Sequence, residues 1–218
     1  MIAAPCDDRA MTFTLPRLYP ITDTRLSGLT HAEQVERLAA GGATLVQLRE
    51  KLAPPREFYE AARRAVEVAR ALGVRVIIND RVDIALAVGA DGVHLGQDDL
   101  PPERAREVVG PDLVVGYSTH NIEQALEADS TSVDYIAVGP VFGTMTKANP
   151  DPVVGPELIR QLKPRLTKPL VAIGGIQLDS APGVIAAGAD SVAVIADLFA
   201  AGDITARTRE YLHRLGLL

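Results

Sequence analysis

Scarcity sets the first limits on this chain. A single cysteine, Cys6, can close no internal disulfide and offers no thiolate cluster to a metal. Tryptophan is absent and aromatics make up only 4% of the residues, too few for the stacking platforms that hold single-stranded nucleic acid. Positive charge is in deficit: 22 Lys and Arg face 28 Asp and Glu, a formal net charge of −6. That balance argues against a binder of phosphate backbones, yet leaves room for a local basic pocket. No apolar run reaches the roughly 18 residues of a membrane helix. The opening MIAAPCDDRAMTFTLPR has no long apolar stretch and carries Asp7 and Asp8 where a secretion signal carries positive charge. Residues 1–16 therefore read as a loose tail, and a reducing cytoplasm is the expected setting.

What is there, in 218 residues that are 47% hydrophobic and 23% charged, suits one globular domain. From Arg17 onward short apolar runs alternate with longer helical patterns. Strands are expected at 18–22, 44–48, 75–79, 92–95, 113–117, 135–139, 170–174 and 191–196, rich in Val and Ile and apolar on both faces in places, as in covered parallel sheets. Between them, the 3.6-residue period predicts helices over 30–40, with Val35, Leu38 and Ala39 on one face, and over 57–72. In the second, Phe58, Ala61, Ala62, Ala65, Val68 and Ala69 form the apolar stripe. Pro101 and Pro102 open a further helix, and the last spans about 204–215. A phrase recurs as GATLV (42–46), GADGV (89–93) and GADSV (188–192), with a degenerate copy, SVDYI, at 132–136. Its glycine supplies the left-handed turn from helix into strand. Eight such alternations predict a single (β/α)8 TIM barrel over 17–218; an open doubly wound sheet is the structural rival.

In a barrel the chemistry collects where strands end. The segment Gln47-Leu48-Arg49-Glu50-Lys51 alternates, so Gln47 and Arg49 share a face, and an inward Arg asks for an anion. Asn79-Asp80-Arg81 and Gln97-Asp98-Asp99 follow the next strands. Asp80 and Asp99 could each cap a helix, or share one hard cation such as magnesium. His94 lies within a strand pattern and reads as a structural histidine. Ser118 offers a hydroxyl at the mouth. The loop Gly139–Lys147 brings Gly143, Thr144, Met145, Thr146 and Lys147, suited to wrapping a phosphate. Gly174-Gly175 and Ile195-Ala196-Asp197 stand where barrels grip phosphate, with a short helix after the latter. No Ser-His-Asp or Cys-His set is apparent. Arg49, Lys51 and Lys147 with two metal carboxylates suit a substrate carrying a diphosphate.

These motifs together (QLREK, INDRVDIALAVGADGVHLGQDDLP, GYSTHN, GPVFGTMTK, VAIGGI and GADSVAVI) resemble the thiamin phosphate synthase family from Leu18 to about Phe199. The resemblance implies an enzyme that couples 4-amino-2-methyl-5-(diphosphooxymethyl)pyrimidine to a thiazole phosphate, releasing pyrophosphate before the new bond forms. It implies that Gln47, Leu48, Arg49, Glu50, Lys51, Asn79, Ser118 and Lys147 hold the pyrimidine diphosphate, with Arg49, Ser118 and Lys147 carrying the catalysis. Asp80 and Asp99 would bind Mg2+. Thr144, Met145, Thr146, Gly175, Ile195 and Ala196 would hold the thiazole phosphate. Two departures stand out: Ala196 where the family often has Ser, and Ser132-Val133-Asp134 where Gly-Ala-Asp is commoner. The rivals are a thiazole tautomerase-like relative, which carries His where this chain has Pro140, and a non-catalytic phosphate-sensing barrel. Small phosphorylated molecules are the expected partners, nucleic acid and membrane are not, and association into a homo-oligomer is left open.

Overall fold

Val- and Ile-rich runs pair as strands because their branched side chains pack on a pleated surface buried on both faces. The computed structural model describes residues 13–143 and 152–218. Its strands are β1 (Leu18–Pro20), β2 (Leu45–Leu48), β3 (Arg75–Asn79), β4 (Gly92–Leu95), β5 (Val114–Thr119), β6 (Tyr135–Val138), β7 (Leu170–Ile173) and β8 (Ser191–Val194). All pair in parallel, in the order β1-β8-β7-β6-β5-β4-β3-β2. The seam between β1 and β2 closes through one bridge, Ile21 to Gln47, where Thr22 N–H donates to the Gln47 carbonyl at 2.9 Å. A sheet joined at both edges is a barrel, which removes the open doubly wound rival. Tyr19, Ile21, Leu45, Ile77, Val114, Tyr135 and Val171 fill the interior. Leu18, Val46, Leu48, Val76, Ile78 and Val93 face outward under the helices.

Those helices are α1 (Thr24–Ser27), α2 (His31–Ala40), α3 (Pro55–Ala71), α4 (Val82–Val88), α5 (Pro102–Val109), α6 (Ile122–Asp129), α7 (Gly155–Leu162), α8 (Ala181–Ala186), α9 (Ala196–Ala200) and α10 (Ile204–Arg214). Thr30 and Glu33 start α2 with a capping box. Helix α3 begins two residues before the expected 57, because Pro55 fits its first turn. Its buried stripe gains Val66, while Ala61 and Val68 lie half-buried at the edges. The unanticipated α1 rests on Asp23, which accepts from Arg25 and Leu26 N–H at 3.0 and 3.1 Å. No helix among the described residues is long and apolar enough to cross a membrane.

The repeat acquires a physical meaning. Its aspartates enter even-numbered strands and tie the start of the preceding odd one: Asp91, Asp134 and Asp190 accept from Val76, Val115 and Leu170 N–H, each at 2.7 Å. Residues 1–12 lie outside the described residues, but 13–16, expected in the tail, close the barrel floor. Phe13 and Leu15 pack against the interior cluster, and Phe13 stacks on Tyr135 at 6.0 Å between ring centres. The Arg75 guanidinium lies 4.8 Å over Phe13 and donates to the Thr14 carbonyl at 2.7 Å.

Candidate active site

Alternation along β2 divides the first motif. Gln47 points into the barrel and Leu48 into the layer under the helices, so the Leu48 side chain faces away from the mouth. Arg49 reaches Asp23 at 3.5 Å, and its N–H donates to Thr22 Oγ1 at 3.2 Å. Glu50 shapes the loop itself: it accepts from Leu52 and Ala53 N–H at 2.9 and 3.2 Å and from Thr24 Oγ1 at 3.3 Å. Burial raises its pKa, but the Leu52 and Ala53 amides and His31 outweigh that and hold it below the usual carboxylate range.

Lys51, Asp80 and Asp99 form the next group. Lys51 is ion-paired with Asp80. Asp80 has a positive φ of 64°, the only such non-glycine among the described residues. Its N–H donates to the His94 carbonyl at 2.8 Å, and Arg81 N–H closes a three-residue turn on the Asn79 carbonyl, also at 2.8 Å. Asp99 accepts from Gly96 N–H at 2.7 Å. Burial, with the Asp80 carboxylate beside it, pushes the Asp99 carboxyl up to about 6 against the lowering pull of Gly96 N–H. Asn79 is buried at 7% exposure, and its Nδ2 has no hydrogen-bond partner among the described residues. A buried amide donor left open is a seat for an acceptor. Among the described residues no three metal-ligating side chains converge; Asp80 and Asp99 are the pair of carboxylates that could hold a hard cation.

Ser118, half-buried, meets His94 Nε2 at 2.8 Å, and its carbonyl accepts from Gln97 Nε2 at 2.6 Å. The other nitrogen of His94, Nδ1, lies 2.9 Å from the Tyr135 hydroxyl. Burial pushes His94 down to about 4, so it is neutral at physiological pH. Tyr19 and Tyr135 were invisible as site residues in the sequence, where an aromatic on a strand reads as core. Gly116 held the one clue: a Cβ there would lie 2.3 Å from the Tyr135 hydroxyl, so only glycine lets that ring through.

Elsewhere on the strand-end face the loops are held by backbone. The loops after β6 and β7 are zipped by Val141 N–H to the Ile173 carbonyl and Phe142 N–H to the Gly174 carbonyl, both 2.9 Å. At Gly175, with φ 64°, a Cβ would lie 2.4 Å from the Gly143 carbonyl oxygen. Beside them opens a cavity of about 490 Å³ lined by Gly143, Gly174, Gly175, Ile195 and Ala196. Asp197 takes part differently: it accepts from Tyr211 Oη at 2.6 Å and Leu178 N–H at 3.2 Å, tying α9 to α10 and to the loop after β7. Thr144, Met145, Thr146 and Lys147 lie outside the described residues.

Comparison with known proteins agrees with this fold. The family described as thiamine monophosphate synthase matches residues 18–198. The thiamine-phosphate synthase of Koribacter versatilis is 51% identical over 210 residues, covering 92% of this chain and 96% of the relative. That of Chloroflexus aurantiacus is 46% identical over 195 residues, covering 89% and 90%. The solved thiamine phosphate pyrophosphorylase of Pyrococcus furiosus superposes with a TM-score of 0.84 at 40% identity, covering 92% of this chain and 95% of that one. The chain belongs to the thiamine monophosphate synthase family.

Proposed function

We propose that the chain, a transferase of this family, joins 4-amino-2-methyl-5-(diphosphooxymethyl)pyrimidine to a thiazole phosphate, giving thiamin phosphate and pyrophosphate. One observation carries the reading. An anion-and-cation site built from Asn79, Lys51, Asp80 and Asp99 shares the strand-end face of the barrel with a glycine-walled cavity. One end suits a diphosphate and the other a monophosphate.

The bond between the pyrimidine methylene carbon and the diphosphate oxygen breaks first, and its electron pair leaves with pyrophosphate. The aminopyrimidine ring delocalises the resulting cation, and the thiazole nitrogen lone pair then forms the new C–N bond. The segment Gln47–Lys51, with Asn79 and Lys147, holds the pyrimidine diphosphate, and Arg49, Lys51 and Lys147 oppose the charge that grows as its diphosphate departs. Asp80 and Asp99 hold Mg2+, which when bound neutralises part of the diphosphate charge. The pair fits that ion: two carboxylates pressed together, one with a raised pKa, are what a divalent cation relieves. Ser118 orients the pyrimidine. Gly175, Ile195, Ala196 and the segment Thr144–Thr146 receive the thiazole phosphate. Ala196 has no hydroxyl, so it would contribute a backbone N–H. Ile173 and Ile195 give the cavity an apolar wall on one side. Small phosphorylated molecules are then the partners, in the cytoplasm.

Purified protein with both substrates and magnesium is expected to release one pyrophosphate for each thiamin phosphate formed. No product at saturating substrate, with the thiazole phosphate and its carboxylate form each tried, overturns the reading.

A further inference from the structure

A run of linked polar groups crosses the largely apolar barrel interior. Gln47 Nε2–H donates to the Tyr19 hydroxyl at 3.1 Å, and that hydroxyl lies 2.9 Å from the Tyr135 hydroxyl. Tyr135 in turn lies 2.9 Å from His94 Nδ1, and His94 Nε2 lies 2.8 Å from Ser118 Oγ. Tyr19, Tyr135, His94 and Gln47 are each at most 6% exposed. We propose that Tyr19, Tyr135 and His94 are positioning residues, a one-way hydrogen-bond chain from Gln47 that holds the Ser118 hydroxyl as a donor into the mouth. The identity of the ring it addresses rests on the proposed function; the chain itself does not.

Each tyrosine hydroxyl has a single hydrogen, and among the described residues that of Tyr19 meets no acceptor other than the Tyr135 oxygen, so one direction leaves no buried O–H unpaired. Because the Gln47 amide donates, Tyr19 gives its hydrogen to Tyr135, and Tyr135 gives its own to His94 Nδ1. The imidazole then carries its proton on Nε2 and donates to Ser118 Oγ. Running the chain the other way from Tyr135 leaves the buried Tyr19 hydrogen without an acceptor, and reversing one inner link alone sets two hydrogens or two lone pairs face to face. One Ser118 lone pair is thereby used, and its hydrogen points away from His94. A solitary serine hydroxyl rotates among three staggered positions; this one is organised before substrate arrives, and a fixed donor suits an acceptor such as a pyrimidine ring nitrogen. Gly116 belongs to the design, since a side chain there would displace the Tyr135 ring.

A double-mutant cycle tests the proposal. Tyr135→Phe, which removes one oxygen and keeps the ring, is expected to lower kcat/KM for the pyrimidine diphosphate about tenfold, the scale of a buried hydrogen-bond link. The KM for the thiazole phosphate stays within about twofold, and the same change made in Ser118→Ala has no further effect. Equal losses with and without Ser118, or none in either, overturn the proposal. Tyr19→Phe, one link further away, repeats the cycle if Tyr135→Phe melts early. Independently of turnover, nitrogen NMR of labelled histidine is expected to show the Nε2–H tautomer at His94 and its loss in Tyr135→Phe. An Nδ1–H tautomer sinks the chain even where product forms. If wild-type protein makes no product, the functional reading falls while the NMR outcome still decides the chain.

Discussion

Asp80 shows what the site demands of one residue. A left-handed backbone costs a non-glycine residue on the order of 1–2 kcal/mol, and Asp80 bears it while its carboxylate is pressed against that of Asp99. On the proposed function, both burdens serve ligand binding rather than the fold. Asp80→Gly relieves them and surrenders only a partly exposed pair with Lys51, itself worth about 0–1 kcal/mol. The variant is therefore expected to melt no lower than wild type without magnesium, yet to lose at least about tenfold in turnover and much of its magnesium dependence. Calorimetry beside a metal titration of the rate checks both; a lower melting point with undiminished turnover rejects the assignment. At this scale the sequence marked the carboxylates, because strand ends could be counted. It did not reveal that Glu50 folds back on its own loop or that Leu48 points outward into the core, since a shared motif carries neighbours along whichever way they face.

At the level of elements, loops and short helices are held by side chains from elsewhere in the chain. Asp197 joins the Leu178 amide, the Tyr211 hydroxyl and, at 3.5 Å, Arg207, so the start of α9 cannot drift from the loop after β7. Removing the hydroxyl with Tyr211→Phe is expected to raise the KM for the thiazole phosphate several-fold, on the scale of one hydrogen bond to a charged group, while the KM for the pyrimidine diphosphate holds. Steady-state kinetics with each substrate varied in turn reads that split, and an equal rise in both would refute it. On the opposite face, Asp134 joins the Val115 amide and Arg106. Asp134→Ala is expected to lose about 1.5–3 kcal/mol in denaturant unfolding with kcat unchanged, because that face carries stability rather than chemistry. The repeat showed where such turns fall; its bond to the neighbouring strand needed the sheet.

For the whole molecule, two buried histidines make the fold sensitive to acid. Burial holds His94 neutral down to about pH 4 and lowers the pKa of His31 in the same way, whereas an unfolded histidine takes up a proton near 6.5. Between those values the unfolded chain binds the extra proton. Stability present above pH 6.5 is therefore lost as pH falls toward 4, by about 1.4 kcal/mol per unit for one full proton. His94→Gln removes that proton from the ledger. Thermal melts from pH 7 to 4.5 are expected to fall less steeply for the variant than for wild type; parallel slopes would show that His94 contributes no linkage.

The sequence by itself determined the eight alternations, the turn glycines and the rank of polar residues at strand ends, and favoured a barrel whose closure the sheet then decided. What it determined follows from local period and counting along one chain. Only the tertiary structure decided that Tyr19, Tyr135 and His94 meet inside the barrel, that Phe13 closes its floor and that Asp197 binds two distant elements. Those contacts join residues 14 to 122 positions apart on the chain or depend on which way a side chain turns. Closure of the sheet brings such residues together, and no local pattern records it.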